Sequence, residues 1–281
     1  MKRKWTLFTA GLLTLSLLAG CAAGNPAPQA SVAETILAET TAAETTVPET
    51  TVPVTEAPTE AFQVTVRPVI SGAQAQVHVS TADEFLAAIA PDTEIILDAA
   101  LIDLSEATGY GEGEGEYYYW YEEFDGPELY ITGVSNLTIR GGGHDRTENV
   151  LSAVPRYADV LSFENCSNIY VTGFTAGHTK EPGFCAGGVL HFWNSQDILV
   201  ENCGLYGCGI VGVQGDSSRN MQIIGNDIYE CSTGGVYFSN CDDVNVDGNT
   251  FRDLGGPEFR VYGCGTITCN GEKVHDYSPR F

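Results

Sequence analysis

The alternation of apolar and polar positions in the second half of the chain repeats with a long period. Anchors placed at Val134, Cys166, Ser195, Ser218 and Cys241 lie 32, 29, 23 and 23 residues apart. Five before each anchor stand Leu129, Leu161, Leu190, Val213 and Val236, and three before stand Ile131, Phe163, Phe192, Gly215 and Phe238. Three after stand Leu137, Ile169, Ile198, Met221 and Val244, and five after stand Ile139, Val171, Val200, Ile223 and Val246. Spacing by two marks strands with one buried face. The polar positions between them, with Asn136, Asn168, Asp197, Asn220 and Asp243 two after each anchor, mark a turn. Leu205, Ile228 and Phe251 open a third strand.

Three short strands per unit of about 23 residues predict an all-β solenoid, a right-handed parallel β-helix in which coils stack at ~4.8 Å. About six or seven coils are expected, the sixth through Thr266-Ile267-Thr268 with polar inward positions. Asn226 and Asn249, with Cys203 one coil earlier, take one turn position and are similar to the asparagine ladder of this fold. Upstream, Thr81 and Glu84 have capping-box spacing before Phe85, Leu86 and Ile89, predicting a short amphipathic capping helix and then a strand at Glu94-Ile95-Ile96-Leu97.

The first part of the chain has no such pattern. Lys2, Arg3 and Lys4 precede an apolar stretch from Trp5 to Leu18, too short for a confident membrane span. Leu18-Ala19-Gly20-Cys21 resembles the lipobox of bacterial lipoproteins, which implies cleavage before Cys21 and its lipidation. Residues 1–21 are therefore read as a lipoprotein signal peptide. Residues 22–62, rich in Thr, Glu, Ala and Pro, are read as a disordered tether similar to the stalks of Gram-positive lipoproteins. Residues 63–281 are the β-helix domain. The expected location is the outer face of the cell membrane.

The formal charge is −24, from 37 acidic and 13 basic residues. It argues against a nucleic-acid partner, which needs clustered Lys and Arg. A polyanionic sugar would also be repelled unless a cation such as calcium bridged it. Eight cysteines follow Cys21; Cys185, Cys208 and Cys231 are one coil apart and are read as a buried thiol stack, with a disulfide among them as the alternative.

Candidate chemistry lies on the outward positions of the first strand in each coil. Four before the anchors stand Tyr130, Ser162, His191, Gln214 and Tyr237; two before stand Thr132, Glu164, Trp193, Asp216 and Ser239. Aromatic faces stack on sugar rings, and amides and carboxylates bond hydroxyls. Trp193, Gln214, Tyr237, Tyr130, Trp120 and His178 are the candidate substrate-binding residues. Glu164, Asp216 and His191 are the candidate catalytic ones. Glu164 and Asp216, two coils apart, should be separated by ~9.6 Å, near the ~6.5–9.5 Å of inverting glycosidases. The aromatic loop from Tyr110 to Asp125, which holds Trp120, is either a groove wall or a cover over the first coil. Its Glu112, Glu114 and Glu116 could hold calcium weakly. The segment from Gly177 to Cys185, with His178, Lys180 and Glu181, leads to His191.

From about Ser80 onward the capping helix, Asn136-Leu137-Thr138-Ile139-Arg140-Gly141 and the coils resemble pectate-lyase-like β-helix proteins, especially β-helix lipoproteins of gut Firmicutes. The resemblance implies the fold strongly and activity weakly. No aspartate cluster beside an arginine matches the lyases; Arg140, Arg156 and Arg219 are scattered. Two readings follow: a non-catalytic module for extracellular carbohydrate, or a polysaccharide hydrolase or lyase. A purely structural role is the third.

Overall fold

The computed structural model describes residues 74–178, 185–207 and 209–276. The signal peptide, the tether, Cys21, Lys180, Glu181 and Cys208 lie outside these.

Backbone chemistry at the turns explains why the chain coils. Asn136, Asn168, Asp197, Asn220 and Asp243 all take left-handed φ, between 52° and 58°. The residues just before the anchors do so too: Gly133, Asn165, Asn194, Ser217, Asn240 and Gly263. Gly, Asn and Asp tolerate that region best, so the polar pairs between strands are conformational requirements. Each such corner turns one strand into the next.

The result is three sheets, of nine, seven and six strands. The front sheet holds the strands before each anchor: Pro127–Thr132, Leu161–Glu164, Leu190–Trp193, Val213–Asp216, Val236–Ser239 and Phe259–Tyr262. The back sheet holds those after each anchor, such as Gln196–Glu201 and Arg219–Ile224. The third holds strands such as Gly204–Tyr206 and Asp227–Tyr229. Pairing between coils is parallel and in the expected register, with Leu190 opposite both Leu161 and Val213, and Val213 opposite Val236.

Every inward position of the first five coils' front and back strands is buried. Phe163 and Phe192 stack at 4.9 Å between ring centroids. Gly215 interrupts the row of large residues because a Cβ there would stand 3.0 Å from Phe238 and 3.1 Å from Met221.

Two side-chain ladders tie the corners. At the anchors, the Cys166 N–H donates to Ser195 Oγ and the Ser195 N–H to Ser218 Oγ, both at 3.0 Å. At the other corner, the Cys203 N–H donates to Asn226 Oδ1 at 2.8 Å and the Asn226 N–H to Asn249 Oδ1 at 2.9 Å. The predicted asparagine ladder is thus present, starting on a cysteine.

The capping helix spans Ala82–Ala88. Glu84 donates its N–H to Thr81 Oγ1 at 3.2 Å, and the Glu84 carboxylate accepts from the Ser80 N–H at 2.7 Å. A strand at Ala75–Val79, not anticipated, pairs with Thr93–Leu97. Two expectations need correction. In the sixth coil Ile267 pairs with Val244 and Cys269 with Val246, so its inward positions are Ile267 and Cys269 rather than threonines. The thiol stack is also not uniform: Cys185 is disulfide-bonded, its partner lying outside the described residues, whereas Cys231 is a free buried thiol. Burial pushes the Cys231 thiol up to about 12, which leaves it unreactive.

Truncating one member of the stacked aromatic pair should be costly. Phe192→Ala is expected to lower stability by about 3–5 kcal/mol, read from urea unfolding; a loss below about 1 kcal/mol would contradict tight packing between coils.

Candidate functional site

The front sheet carries its outward side chains in two vertical rows. One runs Tyr130, Ser162, His191, Gln214, Tyr237 and Arg260. The other runs Thr132, Glu164, Trp193, Asp216, Ser239 and Tyr262. Of the residues expected to act together, Tyr130, Glu164, His191, Trp193, Gln214, Asp216 and Tyr237 do share this face.

His191 is its electrostatic centre. Its Nδ1 lies 3.0 Å from Asp159 Oδ2 and its Nε2 3.1 Å from Asp216 Oδ2. Gln214 Nε2 donates to the same Asp216 oxygen at 2.8 Å. Asp159 accepts from the Gly188 N–H and donates its own N–H to Glu128 Oε2 at 3.0 Å. Ser162 Oγ donates to Glu128 Oε1 at 2.5 Å. Burial works against a charged His191, but the hydrogen bonds to Asp159 and Asp216 outweigh it and raise its pKa to about 10. Burial and the Asp159 charge push Glu128 up to about 7. Asp216 is half-buried, which acts to raise it, but His191 and Gln214 hold it below the usual aspartate value.

Beside this knot the surface opens. A cavity of about 250 Å³ is lined by Gln214, Asp216, Tyr237, Arg260, Thr233, Ile210 and Val211. Trp193, which pairs across the sheet with Asp216, is 46% exposed.

Other expected residues are placed elsewhere. Glu164 accepts from the Tyr119 hydroxyl at 3.0 Å and from Thr132 at 3.3 Å. It anchors the hairpin strand Tyr118–Glu122, and Trp193 stands between it and Asp216 on their row. Tyr130 stacks under Tyr119, with ring centroids 5.1 Å apart. Trp120 packs against the core and edge-on to Tyr110; alternation along the hairpin strand sends it to the covering side. That loop is therefore both things: Tyr117, Tyr118 and Trp120 cover the first coil, and Tyr119 and Tyr121 flank Tyr130. His178 is fully buried, its Nε2 donating to the Ala158 carbonyl at 2.8 Å. Burial lowers its pKa, and it does not reach the face. Glu112, Glu114 and Glu116 are all exposed.

A family model for the right-handed β-helix region matches residues 130–278. The chain belongs to the right-handed β-helix family. No curated protein is significantly similar to it in sequence. Among solved structures, a protein of Parabacteroides merdae provisionally named a glycosyl hydrolase superposes with a TM-score of 0.40 at 12% identity, covering 69% of this chain and 98% of that one. Likeness at that level bears on neither substrate nor reaction.

Within this β-helix, three residues of the candidate site escaped the sequence pattern. Glu128 and Asp159 lie six and seven positions before their anchors, outside the span compared between coils. Arg260 lies four before Cys264, the next anchor, 23 residues after Cys241.

The knot can do limited chemistry. His191 carries both ring protons at neutral pH, so it is a poor general base. Glu128 is only 3% exposed. Donor atoms of Glu128, Asp159 and His191 lie within 4.8 Å of one another. A set containing imidazole suits a transition metal better than calcium, but His191 could ligate only on losing its Nδ1 proton, with Asp216 on the second ring nitrogen to orient it.

The pH dependence follows from these shifts. A glutamate raised in the fold contributes stability that is full below its unfolded value and lost as pH rises through about 7. The His191 contribution has the same sign but is lost only towards about 10. Glu128→Gln should therefore gain stability relative to wild type between about pH 5 and 8, measured as the difference in urea midpoint. A pH-independent difference would contradict the assignment.

Proposed function

We propose that the β-helix domain is a non-catalytic carbohydrate-binding module, carried to the outer face of the cell membrane on a lipidated Cys21. The open cavity lined by Gln214, Asp216 and Tyr237 beside the exposed Trp193 is the observation that supports binding. It offers aromatic faces for sugar rings and an amide and a carboxylate for hydroxyls. The protonation of His191 and the burial of Glu128 favour recognition over proton transfer. In this reading the tether extends the module away from the membrane, at up to ~3.1 Å per residue.

A second reading, polysaccharide cleavage, is favoured by one feature. Glu128 and Asp216 sit on either side of His191 with pKa values driven apart, the pattern by which paired carboxylates become acid and base.

Affinity electrophoresis against plant, host and bacterial glycans tests both. Trp193→Ala and Tyr237→Ala should each weaken binding about tenfold, or ~1.4 kcal/mol, with no release of reducing ends. Binding unaffected by either change would remove this site; reducing ends lost on Asp216→Asn would favour the enzyme. For the anchor, Cys21→Ser should move the protein from the detergent phase to the aqueous phase on partitioning; unchanged partitioning would refute lipidation there.

A further inference from the structure

The cavity is lined by an arginine that no group among the described residues bonds. The Nε of Arg260 is buried without a hydrogen-bond partner, and among the described residues no ion pair involves it. Other described arginines are engaged: Arg140 with Glu94 at 2.5 Å, Arg252 with Asp227 at 2.9 Å, and Arg219 Nε with Gln196 Oε1 at 2.9 Å. Arg260 is also held in place by its surroundings. Its guanidinium lies over glycines, so that a Cβ on Gly256 would come 3.4 Å from its Nη2 and one on Gly234 3.9 Å from its Nε. A guanidinium presents a planar fork of donors that matches a carboxylate.

The other groups of the cavity restrict what the anion can belong to. Gln214, Tyr237 and Arg260 are successive rungs of one row, so Gln214 and Arg260 stand ~9.6 Å apart at their stems with the tyrosine between them. Asp216 shares the far end with Gln214 and is held ionised, with His191 and Asp159 behind it. That end accepts hydroxyls and repels anions. We infer that the ligand is a glycan bearing one isolated acidic group, which Arg260 binds in a fork while the attached sugar ring lies on Tyr237 and its neutral hydroxyls reach Gln214 and Asp216. A chain charged at every residue would set its next anion against Asp216, and the formal charge of −24 on the protein opposes it further. The inference rests on the carbohydrate-binding reading and names the ligand class for the same cavity.

Matched glycans differing in one group test it by calorimetry: lactose, its 3′-sialyl and 3′-sulfo derivatives, xylotetraose with and without a single glucuronate, and homogalacturonan as the uniformly charged chain. Expected is at least about tenfold tighter binding of a singly acidic member than of its neutral partner, with homogalacturonan weaker than that member. The carboxylate and sulfate arms identify which anion is preferred. Arg260→Met should erase the preference, read as the ratio of acidic to neutral affinity within each pair, and Arg260→Lys should keep part of it. Should Arg260→Met fail to fold, the wild type still decides, because rising salt must weaken the acidic member more than its neutral partner. Equal affinity within every pair, a preference that survives Arg260→Met, or tightest binding of homogalacturonan overturns the inference and leaves carbohydrate binding standing. No binding of any glycan, neutral or acidic, overturns both.

Discussion

The structure depends on one constraint: each coil must hydrogen-bond to the next without slipping. A one-residue slip would turn every inward side chain out. Left-handed Asn, Asp and Gly residues fix the corners, and the Ser/Cys and Asn ladders bond one corner to the next. Because each coil contacts only its neighbours, stability accumulates coil by coil. The capping helix covers one end, and the antiparallel strand Glu272–Lys273 pairs with the last back strand at the other, which blunts an exposed sheet edge.

Register also creates the site. His191, Gln214, Tyr237 and Arg260 come from four different coils yet stand on adjacent rungs. The face then divides by burial. Towards the first coils, Glu128, Asp159 and His191 form a closed knot whose charges compensate one another. Towards the last, side chains open to solvent leave a cavity lined by Arg260, which is unpaired among the described residues. Buried ionic groups of the first kind are a weak source of stability and do more to fix geometry. Here they hold Asp216 in place, ionised and facing the cavity.

Most of the coil architecture was legible because strands with one buried face write their period directly into the sequence. The anchors, the third strands at Leu205 and Ile228, and the capping box at Thr81 and Glu84 are all such local signals. The site was legible only where it falls on the alternating positions, as with His191, Trp193, Gln214 and Tyr237. Glu128 and Asp159 lie at the corner where alternation has not begun. Trp120 was misplaced because its facing is set by an antiparallel hairpin outside the repeat. Arg260 sits in the sixth coil, where Thr266 and Thr268 alternate like inward residues and mask Ile267 and Cys269. The disulfide state of Cys185 leaves no mark on spacing, since thiols and disulfides both suit stacked positions.

The central claim is that residues 23 apart are vertical neighbours, as Val213 and Val236 are. Deleting residues 213–235 removes one whole coil, whereas deleting 213–234 removes one residue less. Circular dichroism with urea unfolding of the two variants measures this directly. The first should keep β-sheet ellipticity and a cooperative transition, and the second should lose both. Equal behaviour of the two, folded or unfolded, would contradict stacking in register.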